Sequence, residues 1–277
     1  MATFQLPVRS YRVYPLPGQA YDDRNYGHVH KSVELDTANT AVIAIDMWNL
    51  GGDGEPIIPG VDKYWEYNYM GGHGVAKRAG KIMAEEIVPA LEAAREASVP
   101  VIHNEPPQVL ARYPWAEPPE PTPKTNSSTP DWPPPEFRKE LLAEYHSTVF
   151  GPGYREPWSK IQANYDFADS VKPDPRDHLF SQPQQIERFL AERKILNLVY
   201  VGFLLNFCLL MKPGGILQTR NRYRAIVLRD CTAASETAWS TDENLITKAF
   251  IHWLEIGGTL TAKGKDLREA LSQDQSD

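Results

Sequence analysis

The chain has 277 residues, of which 42% are hydrophobic, and it carries a formal net charge of −7. This length and composition provide enough apolar side chains for the core of one large α/β domain or of two small domains. The negative charge repels phosphate backbones and no basic stretch offsets it, so nucleic-acid binding is not expected. The two cysteines, Cys208 and Cys231, are too few for a disulfide framework and indicate reduced thiols in the cytoplasm.

Neither a signal peptide nor a membrane span is expected. Segment 1–18 lacks the basic start and the apolar run of a signal peptide. The most apolar stretch, 195–211, is too short to cross a bilayer and is interrupted by glycine and asparagine. The sequence therefore predicts a cytoplasmic protein that does not bind membranes.

Strands and helices alternate along the chain after a polar and aromatic N-terminal arm at 1–38, which we expect to lie over the domain surface. The strand at 40–45 is continuously apolar, as is typical of a central parallel strand covered on both faces. Further strands are predicted at 100–103, 196–204, 224–228 and 259–262, and helices at 75–97, 182–193, 241–256 and from Cys208 onward. This alternation predicts a parallel sheet with helices on both faces, followed by a charged tail.

Two loop insertions, at 51–74 and 105–160, interrupt this pattern. Eleven of the 24 prolines fall between Pro106 and Pro135. Because proline lacks an N–H donor and has a fixed φ, that segment cannot be a central strand or a long helix. We expect an extended excursion there, a candidate lid or oligomer contact. The aromatic segment 64–69 of the first insertion is another candidate for closing over a pocket or for contacting a second subunit.

Ligands of open parallel sheets bind at the carboxyl ends of the strands, so reactive residues just past strand ends are candidate site residues. Asp46 follows the first apolar strand, where a carboxylate can accept a proton from a thiol. Cys208 follows the strand that contains Gly202 and is predicted to begin a helix. The N–H groups and dipole of that helix would lower the pKa of the thiol.

A cation near these two groups would stabilise negative charge at the site. Lys172 is the first candidate for this cation, and Arg176 and Lys160 are its competitors.

Two separated segments resemble the isochorismatase-like cysteine hydrolases. The residues Ile43-Ala44-Ile45-Asp46-Met47-Trp48-Asn49 are similar to the family's opening "vIDMQND". Gly202 lies six residues before Cys208, as the family's glycine lies before its nucleophile. Segment 221–235 resembles the family's "GYRV" turn, the strand after it, and an aspartate followed by small residues. The resemblance covers roughly residues 38–104 and 165–265.

The resemblance implies a three-layer α/β/α, Rossmann-like fold with a six-stranded parallel sheet in the order 3-2-1-4-5-6, within one domain over 1–277. That order places the first and fourth strands side by side, so Asp46 and Cys208 would face each other. The family's Asp–Lys–Cys triad would then be Asp46, Lys172 and Cys208.

The resemblance also implies a non-proline cis peptide just before the nucleophile, near Leu204–Leu205. Backbone N–H groups of Leu204, Leu205 and Cys208 would form the oxyanion hole. Trp48 replaces the family's glutamine and would give the pocket an aromatic wall, and Asn206 is a second candidate substrate contact.

No metal and no other cofactor are expected. Nicotinamidases of this superfamily carry an Asp-x-His metal motif after the second strand, whereas this chain has His103-Asn104-Glu105-Pro106 there. Only His73 and His103 remain as histidines that could support a zinc ion near this site.

Three functions are compatible with these features. The first is hydrolysis of an amide-type C–N bond in a small molecule through a thioester. The second is vinyl-ether hydrolysis of an isochorismate-like substrate by acid catalysis, which needs no thiol. The third is a non-catalytic member of the fold that binds a ligand or partner. We expect a homo-oligomer, because the superfamily often forms dimers or tetramers.

Overall fold

The computed structural model describes residues 2–49, 60–61, 72–120 and 132–273, which surround a single eight-stranded sheet. The strands are β1 (Thr3–Arg12), β2 (Gly27–Asp36), β3 (Thr40–Ile45), β4 (Val101–Asn104), β5 (His178–Phe180), β6 (Asn197–Gly202), β7 (Arg224–Leu228) and β8 (Leu260–Ala262). Their order across the sheet is β2-β1-β8-β7-β6-β3-β4-β5. The aromatic segment 64–69 lies outside the described residues, so its suggested closing role stays a prediction.

The six strands from β3 to β8 form the parallel part of the sheet. When these six strands are numbered 1 to 6 in chain order, their order across the sheet is 3-2-1-4-5-6. The predicted strand order is therefore confirmed, and it makes β3 and β6 direct neighbours.

The N-terminal arm is different from the prediction. Residues 1–38 do not lie over the surface as an irregular segment. Instead, β1 and β2 pair antiparallel, from Thr3 opposite Asp36 to Arg12 opposite Gly27, and Arg9 pairs with Thr261 at the sheet edge. The hairpin therefore adds two strands to the predicted six. Alternating buried side chains in the first half of β1 carry this signal, and they are Phe4, Leu6 and Val8.

The helices are α1 (His73–Ile82), α2 (Val88–Glu96), α3 (Pro107–Leu110), α4 (Pro135–Phe150), α5 (Arg155–Asn164), α6 (Pro183–Glu192), α7 (Cys208–Met211), α8 (Ile216–Thr219), α9 (Leu245–Ile256) and α10 (Gly264–Gln273). A π-helical segment, Met83–Ile87, joins α1 to α2, so the predicted helix at 75–97 is continuous. No helix in the described parts of the chain combines the length and the apolar character that a membrane span requires.

Two further segments differ from the prediction. The insertion at 105–160 is not extended throughout, because α4 begins at Pro135, the last proline of the rich segment, where a helix accepts proline at its first turn. The expected charged tail forms α10, whose Leu267 and Leu271 are buried. Residues one turn apart are enough to dock this otherwise polar helix on the sheet.

Two hydrophobic clusters lie on opposite faces of the sheet and complete the three layers. Val42 and Ala44 of β3 join the cluster that includes α1, α2 and α10. Ala41, Ile43 and Ile45 join the cluster that includes α6, α7, α8 and α9. Every residue of β3 is buried, which explains why its sequence is continuously apolar.

Candidate active site

The candidate site lies where β3 and β6 leave the sheet together. The two strands pair in parallel from Thr40 opposite Asn197 to Ile45 opposite Gly202. Just beyond this pairing, the backbone N–H of Phe203 donates to Ile45 O at 2.9 Å. The chain order of the sheet reverses at this point, which is where α/β sheets bind their ligands.

Gly202 allows this close approach of the two strands. Its φ is +110°, a conformation that L side chains rarely adopt. A Cβ atom at this position would lie 2.1 Å from Ile45 O, which is impossible without moving the backbone. Close packing of β6 against β3 therefore requires a glycine at position 202, six residues before Cys208.

Asp46, Cys208 and Lys212 meet beyond these strand ends. Asp46 is 3% exposed and has a φ of 49°, a left-handed conformation that is uncommon for a non-glycine residue and often marks functional sites. Lys212 Nζ lies 2.5 Å from Asp46 Oδ1 and donates to Asn104 O at 2.7 Å. The Asp46 carboxylate lies close enough to the Cys208 thiol to raise its pKa. The structure thus assembles a thiol, a carboxylate and an ammonium group.

The turn that follows α7 carries Lys212 to this position. The Lys212 N–H donates to Cys208 O at 3.0 Å. The Asn104 side chain then donates to Pro213 O at 2.7 Å. Gly214, at a φ of +84°, packs so tightly that a Cβ there would lie 2.9 Å from Asn104 Nδ2. The side chain of Asn104 thus fixes the turn, while its carbonyl binds the lysine.

Lys172 is not the lysine that pairs with Asp46. Its side chain is 54% exposed and lies 2.5 Å from Asp169 Oδ1. The two competitors also form surface pairs, Arg176 with Asp174 at 2.8 Å and Lys160 with Glu156 at 3.0 Å. The prediction of a lysine in the triad was made on the wrong segment, because the turn after α7 brings Lys212 over the site.

Glu105 is a fourth charged group at the site, and sequence reasoning did not include it. It is 0% exposed. Its Oε2 accepts a hydrogen bond from Trp48 Nε1 at 2.6 Å, and its Oε1 accepts one from Met47 N at 3.4 Å. Burial and the nearby Asp46 carboxylate raise the pKa of Glu105 to about 8, against the opposing effect of Lys212. Glu105 therefore carries a proton at neutral pH and clamps the segment after Asp46.

The thiol of Cys208 is protonated in the resting protein. Burial raises the pKa of Cys208 well above its ordinary value, and the Asp46 carboxylate raises it further, while Lys212 opposes both. The predicted lowering by a helix dipole is wrong, because α7 has only four residues, Cys208–Met211. A nucleophilic thiolate must therefore form during the reaction, by transfer of the proton to a base.

Burial and the neighbouring carboxyl groups also have opposite effects on the pKa of Lys212. Burial alone would lower the pKa of Lys212, but the carboxylates of Asp46 and Glu105 hold this pKa above its ordinary value. Lys212 is therefore charged at neutral pH and balances one of the two carboxyl groups.

The predicted oxyanion hole is corrected at one of its three positions. The cis peptide lies between Phe203 and Leu204, one residue before the expected place. The N–H of Leu205 donates to Ala233 O at 2.9 Å, so it cannot bind an oxyanion. Within the described residues, the N–H groups of Leu204 and Cys208 have no backbone acceptor, and both stay candidates.

The two predicted substrate contacts have different surroundings. Trp48 is 6% exposed, and its ring lies 4.7 Å from that of Tyr165 as well as bonding to Glu105. Asn206 accepts a hydrogen bond from Ser235 N at 2.9 Å and donates to Ser235 O at 3.4 Å. Because both ends of its amide bind this backbone, Asn206 holds the loop after β7. Substrate contact by either residue stays a prediction.

His103 belongs to a separate buried network. Its Nε2 lies 2.9 Å from Asp177 Oδ2, and Arg95 binds both oxygens of Asp177 at 2.9 and 2.6 Å. Hydrogen bonds from His103 and Arg95 lower the pKa of Asp177, although burial acts in the opposite direction. His103 is therefore engaged in the network of Asp177 and Arg95.

The residues that sequence reasoning missed were accessible in part. Asn104 and Glu105 come directly after a predicted strand, so the strand-end screen that selected Asp46 would have selected them too. Lys212 lies four residues after Cys208, which on a regular helix places both on one face. Pro213 obscured that relation, because it ends the helix within one turn.

Comparisons with known proteins support the architecture. No protein-family model matches the sequence. A cysteine hydrolase from Pseudomonas syringae pv. phaseolicola aligns with a TM-score of 0.50 and 13% identity, covering 87% of this chain and 95% of that chain. Isochorismatase family proteins from Burkholderia thailandensis and Desulfovibrio vulgaris have TM-scores of 0.43 and 0.44 at 19% and 14% identity, and cover 85% and 84% of this chain and 96% and 98% of theirs. This chain has the α/β fold of the cysteine hydrolase from Pseudomonas syringae.

Proposed function

We propose that this protein is a cysteine hydrolase of the isochorismatase-like class that cleaves an amide-type C–N bond of a small molecule. The observation that carries the proposal is one buried carboxylate, Asp46, that pairs with the Lys212 ammonium group and raises the pKa of the nearby Cys208 thiol. Thiol, base and cation are the parts that nucleophilic catalysis at a carbonyl requires. Their place at the β3–β6 strand ends and the shared fold support the same conclusion.

The first half of the reaction forms a thioester. Asp46 accepts the thiol proton while Cys208 Sγ attacks the carbonyl carbon of the substrate. The N–H groups of Leu204 and Cys208 donate to the developing oxyanion. Asp46 then passes the proton to the nitrogen of the leaving group, the C–N bond breaks, and an amine or ammonia departs.

The second half restores the enzyme. Asp46 accepts a proton from a water molecule that attacks the thioester carbonyl carbon, and Cys208 leaves as the thiol after this proton returns to sulfur. Lys212 holds the carboxylate in place throughout and balances its charge.

Vinyl-ether hydrolysis is the competing chemical hypothesis, and the position of the cysteine argues against it. That reaction needs only an acid to protonate the substrate. A thiol beside the acid would have no task in it. The expected cytoplasmic location, the homo-oligomeric state, the single domain and the absence of a cofactor stay predictions.

A test of this proposal is release of ammonia or amine from a panel of small primary amides and N-carbamoyl amines. Intact-protein mass spectrometry on the reacting enzyme should detect the mass of an acyl group on the wild type. We expect Cys208→Ala to abolish both signals. Cys231→Ala is the matched control, because that buried second cysteine lies after β7, and it should retain both. Full turnover in Cys208→Ala, or acylation of another residue, would contradict the proposal.

Thiol alkylation distinguishes a coupled site from a cysteine that merely packs. The raised pKa of Cys208 predicts alkylation by iodoacetamide at pH 7.5 that is roughly tenfold slower than for a simple thiol. Asp46→Asn removes the nearest negative charge and keeps the shape, so it should accelerate alkylation while turnover is lost. An unchanged alkylation rate in this variant would favour the non-catalytic interpretation.

A further inference from the structure

Three ligand-type side chains converge at the opposite edge of the sheet, away from Asp46 and Cys208. His28 comes from β2 of the N-terminal hairpin, and His252 and Glu255 come from α9. One ligand atom from each of the three lies within 4.8 Å of the others. His252 and Glu255 are three residues apart, so they face the same side of the helix. The cluster therefore joins the hairpin to the parallel part of the protein.

Glu255 contributes one satisfied and one unsatisfied oxygen. The residue is 1% exposed. Its Oε1 accepts hydrogen bonds from Arg9 Nε at 2.8 Å and from Thr261 Oγ1 at 2.6 Å. Its Oε2 accepts no well-directed hydrogen bond in the described structure. A buried carboxylate oxygen without such a bond is costly unless a cation completes it.

The position of His28 accounts for this oxygen. His28 Nε2 lies 3.1 Å from Glu255 Oε2 but is not aligned with it for a hydrogen bond. Two ligands of one tetrahedral zinc ion, with bonds of about 2.0–2.2 Å, lie roughly 3.3–3.5 Å apart and direct their lone pairs to a common point. The separation of the two atoms is thus close to that of neighbouring metal ligands.

Tyr11 orients both imidazoles. Its ring contacts His28 edge-on at 5.2 Å between centroids, and it contacts His252 edge-on at 4.4 Å. An aromatic ring wedged between two histidines restricts the rotation of both. The two nitrogen donors are therefore held in place before any ion binds.

The charges around the cluster favour nitrogen-binding metals. Two of the three candidate ligands offer imidazole nitrogens. Arg9 pairs with Glu255 Oε1 at 2.8 Å, and Arg229 lies near Arg9 and Glu255. A site with two imidazoles and one usable carboxylate oxygen suits Zn²⁺ better than Ca²⁺ or Mg²⁺, which require several oxygen ligands.

We propose that His28, His252 and Glu255 bind a Zn²⁺ ion or a similar transition-metal ion, which fastens the β1–β2 hairpin to α9. A water molecule takes the fourth coordination position. The ion is structural, because the site lies at the sheet edge and not at the strand ends that carry Cys208. This inference is independent of the proposed hydrolase activity.

The experiment is calorimetric titration of ZnCl₂ into tag-free, chelator-treated full-length protein. The host protein carries Cys208→Ala. Cys208 is the more exposed of the two cysteines, and its thiol would compete for zinc. We expect one site with a Kd below about 10 µM. His28→Ala and His252→Ala should each weaken binding at least tenfold. His30→Ala is the matched control, because His30 is exposed on the same strand and outside the cluster, and it should bind as the host does.

A second readout is thermal unfolding. Saturating Zn²⁺ should raise the Tm of the host by roughly 5 °C, because it binds the native state only. The two cluster variants should lose this increase while unfolding cooperatively without metal. Absence of a site in the host, or binding that His252→Ala and His28→Ala leave unchanged, would overturn the proposal. Loss of binding in His30→Ala would overturn the ligand assignment.

Discussion

Two buried carboxylates lie at opposite ends of the neighbouring strands β4 and β5, and they are compensated in different ways. Asp177, just before β5, is 4% exposed and contacts two cationic or ionisable partners, Arg95 and His103. Glu105, just after β4, is 0% exposed and, among the described residues, accepts hydrogen bonds only from the neutral N–H groups of Trp48 and Met47. The pKa of Asp177 is lowered, whereas that of Glu105 is raised to about 8.

The difference separates a structural end of the sheet from a chemical end. The Asp177 carboxylate is in contact with the guanidinium group of Arg95, and its pKa is lowered. At the other end, Asp46 and Glu105 share one cation, Lys212, and one of the two carboxyl groups keeps a proton. A cluster in which two carboxyl groups share one cation beside a thiol is suited to proton transfer.

The largest expected effect concerns the shared cation. Lys212→Met keeps the length of the side chain but leaves Asp46 without its ammonium partner, so kcat/KM on an identified substrate should fall roughly 10³-fold. Lys172→Met is the matched control and should stay near the wild-type value, because Lys172 pairs with Asp169 on the surface. Steady-state kinetics of both variants decides between the two lysines. Loss in Lys172→Met with activity retained in Lys212→Met would reverse the assignment.

The next effect tests the structural end. Arg95→Met removes the guanidinium from a pair in which the side chain of Asp177 is 1% exposed. The substitution should lower the free energy of unfolding by about 3 kcal/mol. Arg176→Met removes a guanidinium from an exposed pair with Asp174 and should leave stability almost unchanged. Urea unfolding at pH 7 measures both. Equal, small losses would mean that the Asp177 network contributes little to stability.

The smallest effect tests the proton on Glu105. A folded-state pKa near 8 lies above the ordinary value of 4.5, so the native state keeps a proton that the unfolded state has lost. Stability from this group is present below about pH 4.5 and is lost as the pH rises toward 8. Glu105→Gln cannot titrate, so its stability relative to that of the wild type should rise as the pH increases from 5 to 8. Parallel stability curves for the two proteins would show that Glu105 is ionised in the native state.

The parallel sheet was predictable because its signals are local. β3 and β7 are short, continuously apolar runs, and their predicted bounds agree with the structure. Their order across the sheet followed from the family resemblance, and the carboxyl-end rule then placed Asp46 and Cys208 together. The hairpin was harder, because half of the residues of β2 are exposed and Lys31 interrupts the alternation of Val29, Val33 and Leu35.

What the sequence determined by itself is the run of strands and helices, together with the two residues that follow strand ends, Asp46 and Cys208. Only the tertiary structure decided which lysine serves them. The amino-acid sequence alone does not distinguish Lys172 from Lys212. In the structure, a turn fixed by Asn104 and Gly214 places Lys212 next to the Asp46 carboxylate. The same holds for pKa values, since burial and the distance between charges set them, and neither is a property of sequence order.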